Sequence, residues 1–202
     1  MTDVAIVTET WFRDSLQTSR TLEDFENSTD NQILTRNRDD GRRGGGVALF
    51  FNKHTLQLTP VRFKKTKHKI VAAIARRTGQ RRKILFIGLY LPPSYDANET
   101  DNCMRTINEI ILQLTNRYKD PHVVLAGDLN KRDIRKATSN FPCIRVLQTG
   151  PTRGSNVLDV IATTLHGDLI ESGITEPIAT SDGTQSDHKT VYASFRMPRV
   201  QS

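Results

Sequence analysis

Little in this chain could fasten it by covalent chemistry or to a bilayer. Its 202 residues contain two cysteines, Cys103 and Cys143, far apart and without metal-ligand spacing. That excludes a disulfide scaffold and a cysteine-held metal, and both are expected as free thiols of a reducing compartment. No run approaches the ~20 apolar residues that span a bilayer. The start, Met1-Thr2-Asp3, lacks the basic residues of a secretion signal, and Val4 to Val7 is too short for its apolar region. Internal repeats and low-complexity linkers are absent too, so residues 1–202 read as one domain with room for a substantial core. Acid is in deficit: 22 Asp and Glu against 29 Lys and Arg give a formal charge of +7 and a pI near 9.6. That balance points to a polyanionic partner and says nothing about fold.

The excess base is clustered. Lys64, Lys65, Lys67 and Lys69 precede one apolar run, and Arg76, Arg77, Arg81, Arg82 and Lys83 surround the Thr78-Gly79-Gln80 turn after it. The spacing predicts a hairpin with a basic tip, in which Arg81 and Arg82 are candidate phosphate contacts. A hairpin kept soluble by its charge is the competing account. Lys131-Arg132-Asp133-Ile134-Arg135-Lys136 forms a second basic stretch, with Lys131 and Arg132 as candidate DNA contacts.

Apolar runs bounded by turn residues recur as candidate strands: Val4 to Val7, Val47 to Phe51, Ile70 to Ala75, Ile84 to Leu91, Val123 to Ala126, Val157 to Ala162 and Val191 to Phe195. One segment has helical period, through Ile107, Ile110, Ile111, Leu114 and Tyr118, with Asp101 or Thr100 as its N-cap and Pro121 as its stop. Segment 13–45 is polar and reads as loop-rich, ending in the Gly41-to-Gly46 cluster. Many strands with few helices suit a two-sheet sandwich flanked by helices.

Val123 to Ala126 leads into Gly127-Asp128-Leu129-Asn130. An extended backbone puts Asp128 and Asn130 on one face. A carboxylate beside a neutral amide can position a water near a metal or a phosphorus without a second negative charge. A simple turn explains the same residues.

Further fragments, in order, decide between the two. Thr8-Glu9-Thr10-Trp11 follows a strand, Gly44-Gly45-Gly46-Val47-Ala48 starts one, and Gly88-Leu89-Tyr90-Leu91-Pro92-Pro93 ends one. Pro151-Thr152-Arg153-Gly154 and Val157-Leu158-Asp159-Val160-Ile161 precede Ser186-Asp187-His188. In that order the chain resembles the endonuclease/exonuclease/phosphatase superfamily, and within it the endonuclease domain of LINE-type non-LTR retrotransposons. The resemblance implies an α/β (α+β) fold, a four-layered two-sheet β-sandwich flanked by helices, DNase-I-like and here N-terminally truncated. In that family an Asn-bearing strand precedes the one ending in the metal-binding Glu, whereas Glu9 stands at the ninth position. The first strand, its Asn and the helix after it are therefore expected to be missing. A fragment of a longer polyprotein, a truncated gene model and a decayed element each account for that.

The resemblance also implies roles. Glu9 would be the primary ligand of Mg2+, with Mn2+ as the alternative, and Asp187 would assist at the metal. Asp128 would orient or deprotonate the attacking water, and Asn130 would hold that water or the phosphate. Tyr90 would donate its hydroxyl to a phosphate oxygen, unless it is an interior residue bonded for packing. His188 would be the cationic donor to the phosphate, held by Asp159. Thr152 and Arg153 would lie near the phosphate, unless they form a plain turn, and Ser186 would bond a carboxylate or phosphate. Successive strand residues face opposite ways, so Asp187 and His188 can serve one site only from a loop or bulge. Trp11 is expected in packing. His54, His68, His122 and His166 are expected at the surface or in loops.

The activity implied is metal-dependent nicking of one DNA strand to leave a 3′-hydroxyl that primes reverse transcription. Double-stranded DNA would be the partner, beside a reverse transcriptase domain of the same polyprotein, with no membrane. The domain would be monomeric and work in the nucleus after cytoplasmic translation. Two rival readings are a catalytically decayed nucleic-acid-binding remnant and a phosphatase or phosphodiesterase of the same superfamily.

Overall fold

The structure, a computed structural model, describes residues 2–12, 15–37, 45–64, 66–77, 82–177, 183 and 185–196. The 78–80 turn and Arg81 lie outside them.

The chain opens with β1 (Val4–Thr8), α1 (Leu16–Ser28), β2 (Asn31–Arg36) and β3 (Val47–Asn52). The three strands form an antiparallel sheet in the order β1-β3-β2. α1 and β2 occupy the segment expected to be loop-rich. The helix is polar, so its period is faint, but the Ser15 side chain caps it by accepting the Thr18 N–H. Tertiary contacts do the rest: Phe25 meets Phe50 edge to face, with centroids 5.9 Å apart, and Glu26 Oε1 accepts the Ile33 N–H at 2.5 Å.

A six-stranded sheet follows. β4 (Leu56–Pro60), β5 (Lys69–Arg77), β6 (Ile84–Tyr90), β7 (His122–Asp128), β8 (Arg145–Val146) and β9 (Asp159–Thr163) take the order β4-β5-β6-β7-β9-β8. β6 is buried along its whole length, as befits a strand covered on both faces. β6 and β7 are the parallel pair, and α2 (Ala97–Arg117) makes the crossover between them. α2 begins earlier than its period suggests. Asp96 is the N-cap, in a reciprocal capping box with Glu99, and Asp101 and Thr100 lie inside the helix. The chain closes with β10 (Leu169–Thr175), absent from the expected strands, paired to β11 (Thr190–Phe195).

One face of the large sheet offers Leu85, Ile87 and Leu89 to Met104, Ile107 and Ile111 of α2. The opposite face offers Phe86, Tyr90, Val124 and Ile161 to β3, with β1 and β11 packed alongside. α1 lies outside the three-stranded sheet, so the layers number four. The expected sandwich is therefore present, with its second layer divided into a three-stranded and a two-stranded sheet. The histidines expected at the surface or in loops divide, since His122 opens β7 and His68 lies in the loop before β5. His68 is buried, with Nδ1 3.1 Å from the Tyr95 hydroxyl and Nε2 2.8 Å from Asn102 Oδ1. Cys103 is buried on the inner face of α2, and burial pushes its thiol up to about 12, whereas Cys143 is exposed; both are free, as expected.

Candidate active site

Register across three strands assembles the first half of the site. Tyr90 on β6 stands beside Asp128 on β7, and Asp128 beside Asp159 on β9. Alternation along each strand turns all three side chains to the face covered by the divided layer, since Phe86, Val124 and Ile161 share that face. Gly127 makes the level possible: its φ is +153°, and a Cβ there would fall 1.8 Å from the Leu89 carbonyl oxygen. Tyr90 is buried there.

Asp128 is 4% exposed. Its Oδ1 accepts the Asn130 N–H at 2.9 Å and its Oδ2 accepts the Asn130 side-chain amide at 3.2 Å. Burial pushes its carboxyl up to about 6, the charges of Asp159 and Glu9 push the same way, and the Asn130 N–H and His188 offset part of the shift. Asn130 and Lys131 follow in the left-handed region, with φ of 46° and 69°. Each such residue costs roughly 1–3 kcal/mol unless its surroundings hold it. Here the Asn130 amide also donates to the Leu91 carbonyl at 2.8 Å. Arg132 clamps the same loop, donating to the carbonyls of Asn130 (3.0 Å) and Tyr95 (2.8 Å) and to the Thr100 hydroxyl (3.3 Å). Arg132 is thus turned inward as a strut and is half-buried, whereas Lys131 beside it is exposed.

The second half comes from the loop before β11. Residues 186–189 precede that strand, so Asp187 and His188 escape strand alternation, as the chemistry required. His188 Nδ1 lies 2.8 Å from Asp159 Oδ2, and the His188 N–H donates to Ser186 Oγ at 3.1 Å. Asp187 Oδ1 is 4.0 Å from His188 Nε2, and Asp187 Oδ2 is 2.6 Å from the Arg153 guanidinium. Thr152 is buried. Its hydroxyl accepts the N–H groups of Leu158 (3.0 Å) and Asp159 (3.3 Å), and its carbonyl accepts the Lys189 N–H at 2.8 Å. It stitches the start of β9 to the His188 loop.

Asp128, Asp159 and His188 each offer a ligand atom within 4.8 Å of the others. The two carboxylates are donors that suit a hard divalent cation, and the buried Asp128 charge would gain from one. The expected ligands Glu9 and Asp187 are not in that trio. Asp187 is held by Arg153. Glu9, with φ of 55°, uses Oε2 to accept the Trp11 indole N–H at 3.0 Å and the Gly45 N–H at 2.6 Å. Trp11 is 62% exposed, against the expectation of packing. Gly46 is required beside it, because a Cβ would meet Thr10 Oγ1 at 2.5 Å. Arg82 stands just before β6, whose other end carries Tyr90, and is paired with Asp120 at 3.3 Å; the 78–80 turn and Arg81 are outside the described residues. Sequence reasoning missed Thr152 and Arg132 as braces, a role that no local pattern signals.

No family model and no curated protein matches the chain. Solved structures do. The endonuclease domain of TRAS1, a telomere-specific non-LTR retrotransposon, is 14% identical with a TM-score of 0.68, covering 98% of this chain and 87% of that one. The mannosyl-6-phosphatase of Bacteroides thetaiotaomicron is 14% identical with a TM-score of 0.70, covering 96% and 85%. D. rerio TDP2 complexed with a single-strand DNA product is 12% identical with a TM-score of 0.63, covering 96% and 86%. The chain has the DNase-I-like fold that runs through nucleases and phosphatases of the endonuclease/exonuclease/phosphatase superfamily.

Proposed function

We propose that the chain is a divalent-metal-dependent endonuclease that nicks one strand of duplex DNA and leaves a 3′-hydroxyl, as target-primed retrotransposition needs. The observation that carries this reading is the convergence of Asp128, the Asp159–His188 pair and Tyr90 from two layers at one end of the sheet. The carboxylates of Asp128 and Asp159 offer oxygens for Mg2+ or Mn2+, with Glu9 close enough for its charge to act on Asp128, and His188 is kept for the phosphate. The cation would neutralise phosphate charge and polarise the phosphorus.

Asp128 accepts the proton of the attacking water as its oxygen bonds to phosphorus, and Asn130 keeps that carboxylate oriented. The P–O3′ bond breaks, and the 3′-oxygen leaves as a hydroxyl with a proton from solvent. Asp159 fixes the His188 tautomer, so that Nε2 donates to a phosphate oxygen as negative charge builds. Arg153 and Asp187 border the same loop, and Lys131 is an exposed cation next to Asn130. The +7 charge suits a DNA partner. In an intact element a reverse transcriptase domain would use the 3′-hydroxyl in the nucleus.

The test is conversion of supercoiled plasmid to the nicked circle in magnesium, with the nick extended by a polymerase. Conversion should stop in excess chelator and in His188→Ala. Preferential release of phosphate from a sugar phosphate, with the plasmid left intact, would replace nicking by a phosphatase activity.

A further inference from the structure

We propose that Trp11 stacks on an unstacked nucleobase next to the scissile phosphate, making it a substrate-positioning residue of this site. The inference rests on DNA being the substrate, as proposed above. Exposure alone does not carry it, since Ile170 is 62% exposed as well and single exposed apolar residues are ordinary. The way the ring is held does.

Glu9 and Trp11 both adopt left-handed backbone conformations, φ 55° and 56°, immediately beyond the end of β1. Their N–H groups donate to the carbonyls of Gly46 and Gly45, each at 3.0 Å, so the β1–β3 pairing runs on past the strand and pins the segment. The indole N–H donates to Glu9 Oε2, which also takes the Gly45 N–H. The polar edge of the ring is therefore satisfied, and the ring is tied to a carboxylate whose charge reaches Asp128. What remains is an aromatic face open to solvent on an anchored support. A wet ring has no packing role to explain its placement. A π-face beside a phosphate site is what an unstacked base occupies, whatever its sequence. The basic charge of the chain favours that polyanion over a peptide or an apolar partner.

The chain has one tryptophan, so its emission reports on this residue alone. The Asp128→Asn protein, unable to cut, is titrated with a short single-stranded oligonucleotide in calcium, and binding is followed separately by anisotropy of a label on the DNA. Tryptophan emission should be quenched in step with binding, and less by an oligonucleotide of equal charge with abasic sites at its centre. Trp11→Ala should weaken binding roughly tenfold or more, the scale of one base–aromatic stack. Trp11→Phe should keep most of the affinity, although it removes the bond to Glu9, which separates stacking from support of the carboxylate. Unchanged emission at saturation, or Trp11→Ala binding as tightly as its parent, overturns the inference and leaves the nuclease reading standing. Failure of the oligonucleotide to bind at all overturns the inference, and failure of duplex DNA to bind as well overturns the nuclease reading.

Discussion

The two faces of the six-stranded sheet are covered in different ways. Against α2, Leu85, Ile87, Leu89, Ile107, Ile111 and Leu114 are all at 0% exposure. On the opposite face β3 packs as tightly through Val47, Leu49 and Phe51, but the flanking side chains Val4, Ile6, Leu34, Val191, Ala193 and Phe195 are only partly buried. A continuous helix closes the first face. Two separate sheets share the second, and among the described residues no strand joins β1 to β11. Glu9 and Asp3 bond to β3, so alternation aims the N–H and C=O groups of Val4, Ile6 and Thr8 at the open edge of β1. Arg196 bonds to Asp168 beside β10, which aims those of Val191, Ala193 and Phe195 at the open edge of β11. The candidate site is built on this second face, with Glu9 just past β1 and His188 just before β11. The sealed face supplies stability, and the divided face supplies the chemistry.

Four measurements can break or sharpen that contrast. The largest effect should come from Asp128→Asn, which removes the general base and should lower nicking about 10²–10⁴-fold. The same change should raise the melting temperature near neutral pH, because it deletes a buried charge that burial disfavours. A protein that loses both activity and stability would mean that Asp128 holds the fold together.

Next is the core itself. Ile111→Ala, on the sealed face, should cost about 2–5 kcal/mol in denaturant unfolding, whereas Val191→Ala, on the divided face, should cost about 1 kcal/mol. Equal losses would erase the distinction between the faces.

The third effect depends on pH. Asp128 is raised from 3.8 to about 6 in the fold, so between those values the native state holds a proton that the unfolded chain has released. Stability conferred relative to Asp128→Asn should therefore fall as pH rises through that window, by up to about 3 kcal/mol, and be level above and below it. Metal-free protein melted from pH 4 to 7 beside the variant gives the difference directly. A flat difference would mean that the carboxylate is solvated. Activity should move the opposite way, declining below about pH 6 as the base is protonated.

The smallest effect is local. Amide hydrogens of Val4, Ile6 and Thr8 should exchange faster than those of β6, which is paired on both sides. Equal protection would show that something covers the open edge of β1.

Much of this was legible in the sequence, for specific reasons. Ile84 to Leu91 and Val123 to Ala126 are continuous apolar runs, and such runs can only be strands covered on both sides or buried helix. Ile107, Ile110, Ile111 and Leu114 trace one helical face, which is the face α2 buries. β2 and α1 were hidden because their apolar residues are sparse, and it is pairing with β3 and the Phe25–Phe50 contact that hold them. Asp128, Asp159 and His188 were identified as site residues by the order of motifs, and the register of β7 with β9 then brings the two carboxylates level.

What the amino-acid sequence determined by itself was which segments need burial, since periodicity is a property of neighbouring residues. Which neighbour covers a face, and where a polar side chain turns, depend on residues far away along the chain. Arg132 could be an outward DNA contact or an inward strut, and only the carbonyls of Tyr95 and Asn130 in reach of its guanidinium decided for the strut. His68 was expected at the surface or in a loop, and only Tyr95 and Asn102 decided that this loop residue turns inward. Trp11 looked like core, but the left-handed turn after Glu9 swings it into solvent, because two bonds to the Gly45-Gly46 backbone hold a conformation that its own residue type disfavours.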